Sequence, residues 1–65
     1  MNAFVIFNLN SNNYLHSTKE GGTDHITCAY MTLSRDMAEH ECEIANSEFI
    51  CCTWVVRSIT ITLNV

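Results

Sequence analysis

The last seventeen residues, Phe49–Val65, constrain the fold more than any other stretch of the chain. They read FICCTWVVRSITITLNV and are almost entirely β-branched, aromatic or cysteine, with no glycine or proline to interrupt an extended strand. From Ser58 onward polar and apolar residues alternate strictly, which indicates a strand with one buried and one solvated face. The rest of the chain must therefore cover this segment.

The apolar residues of this segment change phase near its middle. The first set is Ile50, Cys52, Trp54 and Val56, and the second is Ile59, Ile61, Leu63 and Val65. Because side chains along a strand alternate with a period of two, one flat strand cannot place both sets on the same face. We therefore expect a β-bulge or a sharp bend at Val56–Ser58. The segment then forms either one bent strand or two separate strands.

Three more strands are predicted in the first half of the chain. Ala3–Leu9 is apolar on both faces, which is typical of an interior strand. The asparagine-rich segment after it predicts a chain reversal into a short return strand at Tyr14–Ser17. Beyond the connection Thr18–Asp24, which holds both glycines, alternation predicts a third strand at His25–Leu33.

One helix is predicted between the third strand and the C-terminal segment. Ser34 is a good N-cap, and Asp36 lies where an acid stabilises the positive end of the helix dipole. The helix should end near Ser47. Its small residues form a stripe for burial, namely Ala38, Cys42 and Ala45, followed by Phe49. The predicted fold is α+β, a single domain over residues 1–65: an antiparallel sheet of four to five strands with one helix packed on one face, in the order β-β-β-α-β(β).

Length and charge narrow the classes of function. A 65-residue domain buries only about 60% of its unfolded surface, so a domain of this size often relies on a partner, a metal or a disulfide. The net charge of −4, with only Lys19, Arg35 and Arg57 as cations, argues against direct nucleic-acid binding and favours a basic partner. We see no secretory signal or membrane-length apolar run, so we expect a cytoplasmic protein with reduced cysteines and no membrane contact.

Cysteine and histidine residues raise the alternative of a small metal- or thiol-dependent regulator. The candidate ligands for this alternative are His25, Cys28, Cys42 and one of Cys51 or Cys52. The spacing is poor for zinc because the chain has no CxxC pair, and neighbouring residues of a strand point to opposite sides. The preferred prediction is therefore free thiols, with no metal and no cofactor.

An enzyme is the least favoured class. Cys42 lies in the predicted helix among Glu39, Glu41 and Glu43, and these acids disfavour the thiolate that a nucleophile requires. A domain this small also has little room for a concave substrate site. We predict no catalytic residues.

The acidic helix is the first candidate interaction surface. Five of the seven acidic residues lie between Ser34 and Phe49. Its outer face is predicted to carry four polar residues, Asp36, Glu39, His40 and Glu43. One interpretation is a solvated face that keeps the protein soluble. The other is a negative patch that docks on a basic protein surface, including a nucleic-acid-binding surface that it would occlude.

The sheet is the second candidate, because its predicted strands offer more apolar surface than one short helix can cover. This surplus predicts a homodimer, formed either by sheet faces or by edge pairing of the C-terminal strand. Trp54 is predicted at the centre of such a contact, since tryptophan is enriched where interfaces derive most of their binding energy.

The order of these segments resembles that of short uncharacterised accessory proteins of phages and prophages. The segments are FVIFNLNSNNYL, CAYMTL, SRDMAEHECEIAN and ITITLNV, and the resemblance rests on Tyr14, Leu15, Ser34, Asp36 and the terminal alternation. The four cysteines and the CCTW segment depart from that pattern. The resemblance implies a protein that binds a host protein in the host cytoplasm and inhibits or redirects it.

Overall fold

In a computed structural model, residues 1–50 and 52–62 are described and form a small α+β domain. The elements in chain order are β1 (Asn2–Asn8), β2 (Asn13–Leu15), β3 (Gly22–Thr23), a 3-10 turn (Ile26–Cys28), β4 (Met31–Thr32), α1 (Arg35–Glu48) and β5 (Trp54–Thr60). Within these residues the predicted fold class is confirmed: five strands form an antiparallel sheet, and the one α-helix packs against it.

Strand β1 is the centre of the sheet. It pairs along its whole length with β5 on one side. On the other side its C-terminal residues Phe7 and Asn8 pair with β2, and Phe4 and Val5 in its middle pair with β4. The short β3 extends the sheet beyond β2. The predicted interior strand is confirmed, since the side chains of Ala3, Val5 and Ile6 are fully buried.

The reversal between β1 and β2 depends on asparagine. The buried Asn8 side chain accepts hydrogen bonds from the N–H groups of Asn10 (2.9 Å) and Ser11 (3.3 Å), which satisfies backbone donors in the turn. Asn12 has φ 56°, a left-handed conformation that asparagine tolerates better than most residues. The predicted hairpin is therefore confirmed, with β2 one residue earlier at its start than expected.

The third strand is shorter than predicted. Residues 26–28 form a 3-10 turn, in which Cys28 N–H donates to the His25 carbonyl (2.9 Å), and only Met31–Thr32 forms a strand on β1. A further short strand, β3, lies inside the glycine-containing connection. Between the 3-10 turn and β4, Ala29 forms an isolated antiparallel bridge with His16 at the end of β2. Four strands therefore precede the helix, where three were predicted.

The predicted bulge in the C-terminal strand is wrong. The pairing of β5 with β1 runs without interruption from Asn2 opposite Thr60 to Asn8 opposite Trp54. The members of the two apolar sets that lie within β5 face opposite sides of one uninterrupted strand: Trp54 and Val56 share the face of the helix, and Ile59 lies on the other. The predicted positions at Leu63 and Val65, and that of Cys51, lie outside the described residues.

Helix α1 follows the prediction closely. The Ser34 hydroxyl accepts a hydrogen bond from the Met37 N–H (3.3 Å), which is the expected N-cap, and the helix ends one residue later than predicted. Ala38 and Ala45 are buried, and Cys42 and Phe49 are half-buried, so the predicted stripe faces the sheet. The core beneath the helix consists of Ile6, Leu15, Ala45 and Trp54, bordered by Tyr30, Cys42, Phe49 and Cys52.

Candidate interaction surfaces

The sheet has one face beneath α1 and one face that no described helix covers. Arg35, in the first turn of α1, lies over the Phe4 ring (5.7 Å), which marks the helix side of β1. Residues of the opposite parity form the second surface, which we call the helix-free face. Its members along the strands are Ala3, Val5, Phe7, Tyr14, Met31, Val55, Arg57 and Ile59.

Two backbone hydrogen bonds extend this face beyond the strand ends. Leu9 N–H donates to the Thr53 carbonyl (2.9 Å), and Ile61 N–H donates to the Met1 carbonyl (2.7 Å). Both bonds continue the same ladder, so Met1 and Leu9 lie in register with the odd-numbered residues of β1. The helix-free face therefore extends over the whole length of the β1–β5 pair.

The centre of the helix-free face is covered by its own neighbours, and its margin is not. Val5 is fully buried and Phe7 is 8% exposed, since the Tyr14 ring packs against Phe7 edge-on (5.3 Å). By contrast, Met1 is 66%, Leu9 48% and Met31 39% exposed. Large apolar side chains exposed on one face are typical of a surface that binds a partner.

Arg57 is the charged residue of this face. Its guanidinium carbon lies 3.9 Å from the centroid of the Phe7 ring, close enough for a cation–π interaction. Lys19 and Arg35 form ion pairs with Glu41 (3.1 Å) and Glu39 (3.4 Å), whereas Arg57 forms none within residues 1–50 and 52–62. The guanidinium can therefore donate hydrogen bonds to a carboxylate of another molecule.

The acidic helix face lies where the sequence placed it. The four predicted residues, Asp36, Glu39, His40 and Glu43, are all exposed on α1. Glu39 accepts from Arg35 at 3.4 Å, so one cation offsets part of this charge. Glu41 is not part of this face, because its carboxylate turns toward Lys19 beside the end of β2 and is 15% exposed.

Trp54 is not where the sequence placed it. The predicted surface position is corrected by its exposure of 4%. Its ring packs against Phe49 (5.8 Å between ring centroids) and belongs to the core with Ile6, Leu15 and Ala45. The helix alone would not cover it, but Phe49 and Leu15 from the flanking segments complete the cover. Trp54 is therefore a core residue and not the centre of a contact.

The candidate metal ligands do not converge. His25 is exposed, and Cys28, Cys42 and Cys52 are half-buried. Among the residues that the structure describes, no three His, Cys, Asp or Glu side chains lie close enough to hold one metal ion.

The Cys42 thiol has a structural contact. It donates to the Trp54 carbonyl at 3.2 Å. Burial, and to a smaller extent the charge of Glu43, raises the pKa of Cys42, so its reactive thiolate is disfavoured. The sequence had indicated this effect of the neighbouring acids.

A contact that the sequence did not indicate lies at the outer edge of β5. The Asn46 side chain accepts a hydrogen bond from the Trp54 N–H (2.8 Å) and donates one to the Trp54 carbonyl (3.0 Å). One amide group thus pairs both backbone groups of Trp54, as a neighbouring strand would. Asparagine in a helix gives no pattern that predicts such a contact.

A cleft of about 290 Å³ lies between α1 and the end of β2. Its apolar lining comes from Leu15, Ile44, Ala45 and Phe49, and Lys19, Glu41 and Glu48 complete it. Lys19 has φ 64°, and its ammonium group lies between the Glu41 carboxylate and the Tyr30 ring (5.2 Å). This ion pair connects the loop that contains Lys19 to the helix. The volume of the cleft is at the lower limit for small-molecule sites.

No protein-family model, curated protein or solved structure matches this chain. The resemblance to phage and prophage accessory proteins therefore stays a prediction. In the described part of the chain, no helix has both the length and the apolar character needed to cross a bilayer.

Proposed function

We propose that this protein is a small non-enzymatic module that binds another protein through the helix-free face. The observation that carries this proposal is the exposure of Met1, Leu9 and Met31 on that face, around a centre that is already packed. A partner that removes exposed apolar side chains from water lowers the free energy of the complex.

The partner is defined by the chemistry of this face. It has an apolar surface to meet the exposed methionine and leucine side chains, and a carboxylate to meet Arg57. A carboxylate there would form a charge-assisted hydrogen bond with the guanidinium, which has no ion pair in the described residues. The face is small, because only β1 and β5 are seven residues long and β2 and β4 add two or three residues each, so it suits a weak, transient complex.

The sequence resemblance supports a host protein as the partner and inhibition or redirection as the outcome. A module of 65 residues is large enough to inhibit a partner by covering the surface that it binds. The acidic balance of the chain further favours a partner that is basic around the contact, because opposite net charges accelerate association.

Substitution of Met31 by glutamate tests the helix-free face. A buried carboxylate opposes apolar contact, so we expect M31E to lose the proteins that the parent retains in affinity capture from a bacterial lysate. Met37→Glu is the matched control, because Met37 is 57% exposed on α1 and away from this face. Equal retention by the parent, M31E and M37E would overturn the proposal, and so would a parent that retains nothing specific.

The acidic helix supports a second, electrostatic contact with a basic protein surface. Asp36 and Glu43 are exposed and have no ion pair among the described residues. We expect Glu39→Gln with Glu43→Gln to weaken capture of a basic partner about tenfold at low salt, with the difference vanishing at high salt. Glu20→Gln with Asp24→Asn, two exposed acids outside the helix, is the control. If the helix variant binds as the parent does at low salt, the acidic face serves only solvation.

A further inference from the structure

The backbone of β5 has an inner and an outer edge. Because the hydrogen bonds of Leu9 with Thr53 and of Met1 with Ile61 belong to the same ladder, the odd-numbered residues of β5 exchange backbone bonds with β1. The even-numbered residues therefore direct their N–H and C=O groups away from β1. These are Trp54, Val56, Ser58 and Thr60.

Only part of this outer edge is closed. The side chain of Asn46 pairs both backbone groups of Trp54, and the Cys42 thiol adds a second donor to the same carbonyl. In residues 1–50 and 52–62, the outward backbone groups of Val56, Ser58 and Thr60 have no hydrogen-bond partner. We call these three residues the open edge. Unpaired edges of this kind are templates for pairing with another strand.

The usual protection of an edge strand is missing at the open edge. Val56, Ser58 and Thr60 are uncharged, and β5 contains neither proline nor glycine. The one charged residue of β5, Arg57, turns its guanidinium over the Phe7 ring at 3.9 Å, which places the charge above β1. The positive charge of Arg57 therefore lies above β1 and away from the open edge, where it would repel the same charge of a second copy.

The geometry points to a second copy of this chain as the occupant of the open edge. We propose that two β5 strands pair antiparallel about a two-fold axis at Ser58, with Val56 opposite Thr60 of the second copy. This register uses every outward group of the open edge, giving six hydrogen bonds from three pairs of residues. It places the Asn46 contact immediately outside the paired segment, where it ends the pairing at Trp54.

The dimer has a defined shape. The axis between two antiparallel strands is perpendicular to the sheet, so both copies of α1 lie on one side of a continuous ten-stranded sheet. Both helix-free faces lie on the other side and form one surface of twice the area. The dimer does not require the proposed function, but it would present that function's contact face in duplicate.

Proline at Ser58 tests this dimer. The Ser58 N–H points outward, so proline removes one intermolecular donor and no bond to β1, a position where an edge strand accepts proline. We expect the parent to be a dimer by light scattering at high micromolar concentration. S58P should remain folded, with the dissociation constant of its dimer raised about tenfold or more, and Ser58→Thr, which keeps the N–H, should dimerise like the parent. A parent that is monomeric up to millimolar concentration overturns the proposal, as does an S58P variant that dimerises like the parent.

Amide hydrogen exchange provides a test that requires no variant. In the dimer, the N–H groups of Val56, Ser58 and Thr60 are protected as strongly as those of Arg57 and Ile59, and this protection falls on dilution. Protection confined to the odd-numbered residues at every concentration contradicts the dimer. Met31→Glu should leave exchange at the open edge unchanged, because Met31 pairs with β1 on the side opposite β5, so failure of the dimer and failure of the proposed function are distinguishable.

Discussion

Substitution of Trp54 by alanine is expected to leave this domain largely unfolded at room temperature. The side chain is 4% exposed and packs against Phe49, Ile6 and Leu15, and truncation of a buried aromatic residue costs about 3–5 kcal/mol. In a domain of 65 residues a single hydrophobic core supplies about 3–5 kcal/mol of stability, so the truncation removes about as much as the domain has. Far-UV circular dichroism and the dispersion of amide resonances measure the loss.

Trp54→Phe is the matched control for this prediction. The indole Nε1 is buried and has no acceptor among the described residues, and an unsatisfied buried donor costs about 1–3 kcal/mol. Phenylalanine loses part of the packing but also removes this donor, so W54F should remain folded and lose no more than about 2 kcal/mol. A folded W54A variant with the parent's stability would contradict the assignment of Trp54 to the core. A W54F variant as unstable as W54A would show that the indole N–H is satisfied.

Substitution of Asn46 by leucine should lower the free energy of unfolding by about 2 kcal/mol, because both hydrogen bonds to the Trp54 backbone are lost together. The midpoint of urea denaturation, with the slope unchanged, measures this loss.

Ser47→Leu is the control for this variant, since Ser47 is an exposed neighbour on α1 and receives the same apolar side chain without a contact to Trp54. Asn46→Asp should fall between the two, because it keeps the acceptor for the Trp54 N–H and loses the donor. If N46L and S47L have equal stability, the Asn46 contact contributes nothing to the fold.

The sequence predicts the fold class because its strongest patterns are local. The asparagines of the first turn, the Ser34 cap and the small-residue stripe of α1 each act within a few residues, and all of these features are confirmed. The interior position of β1 also follows from composition, since a strand that is apolar on both faces is typical of the middle of a sheet.

The wrong predictions arise where one sequence pattern is compatible with two different structures. The change of phase in β5 was attributed to a bulge, but Trp54 faces the helix and Ile59 faces the other side of an uninterrupted strand. Alternation at His25–Leu33 was attributed to one continuous strand, but the segment divides into a 3-10 turn, an isolated bridge from Ala29 to His16 and a short strand on β1, each held by its own backbone hydrogen bonds. Such bonds depend on tertiary position, which periodicity does not report.

The candidate surfaces show the same division. The acidic helix face could be read from helical spacing and is exposed as predicted. The open edge of β5 could not be predicted from the sequence, because Asn46 on α1 determines where the unpaired part of the strand begins. Trp54 was misplaced because the cover supplied by Phe49 and Leu15 comes from segments without regular structure or at strand ends.

The central position of β1 has a consequence for the order in which the molecule folds. Its longest partner is β5, and Asn2 and Thr60 are 58 residues apart in the chain. During synthesis the hairpin and α1 can form early, but β1 cannot complete its pairing until β5 has been synthesised. Before that point, one side of β1, the most apolar strand of the sheet, is unpaired. Until then, this segment is the part of the nascent chain most exposed to wrong pairing, and chaperone contact should be concentrated there.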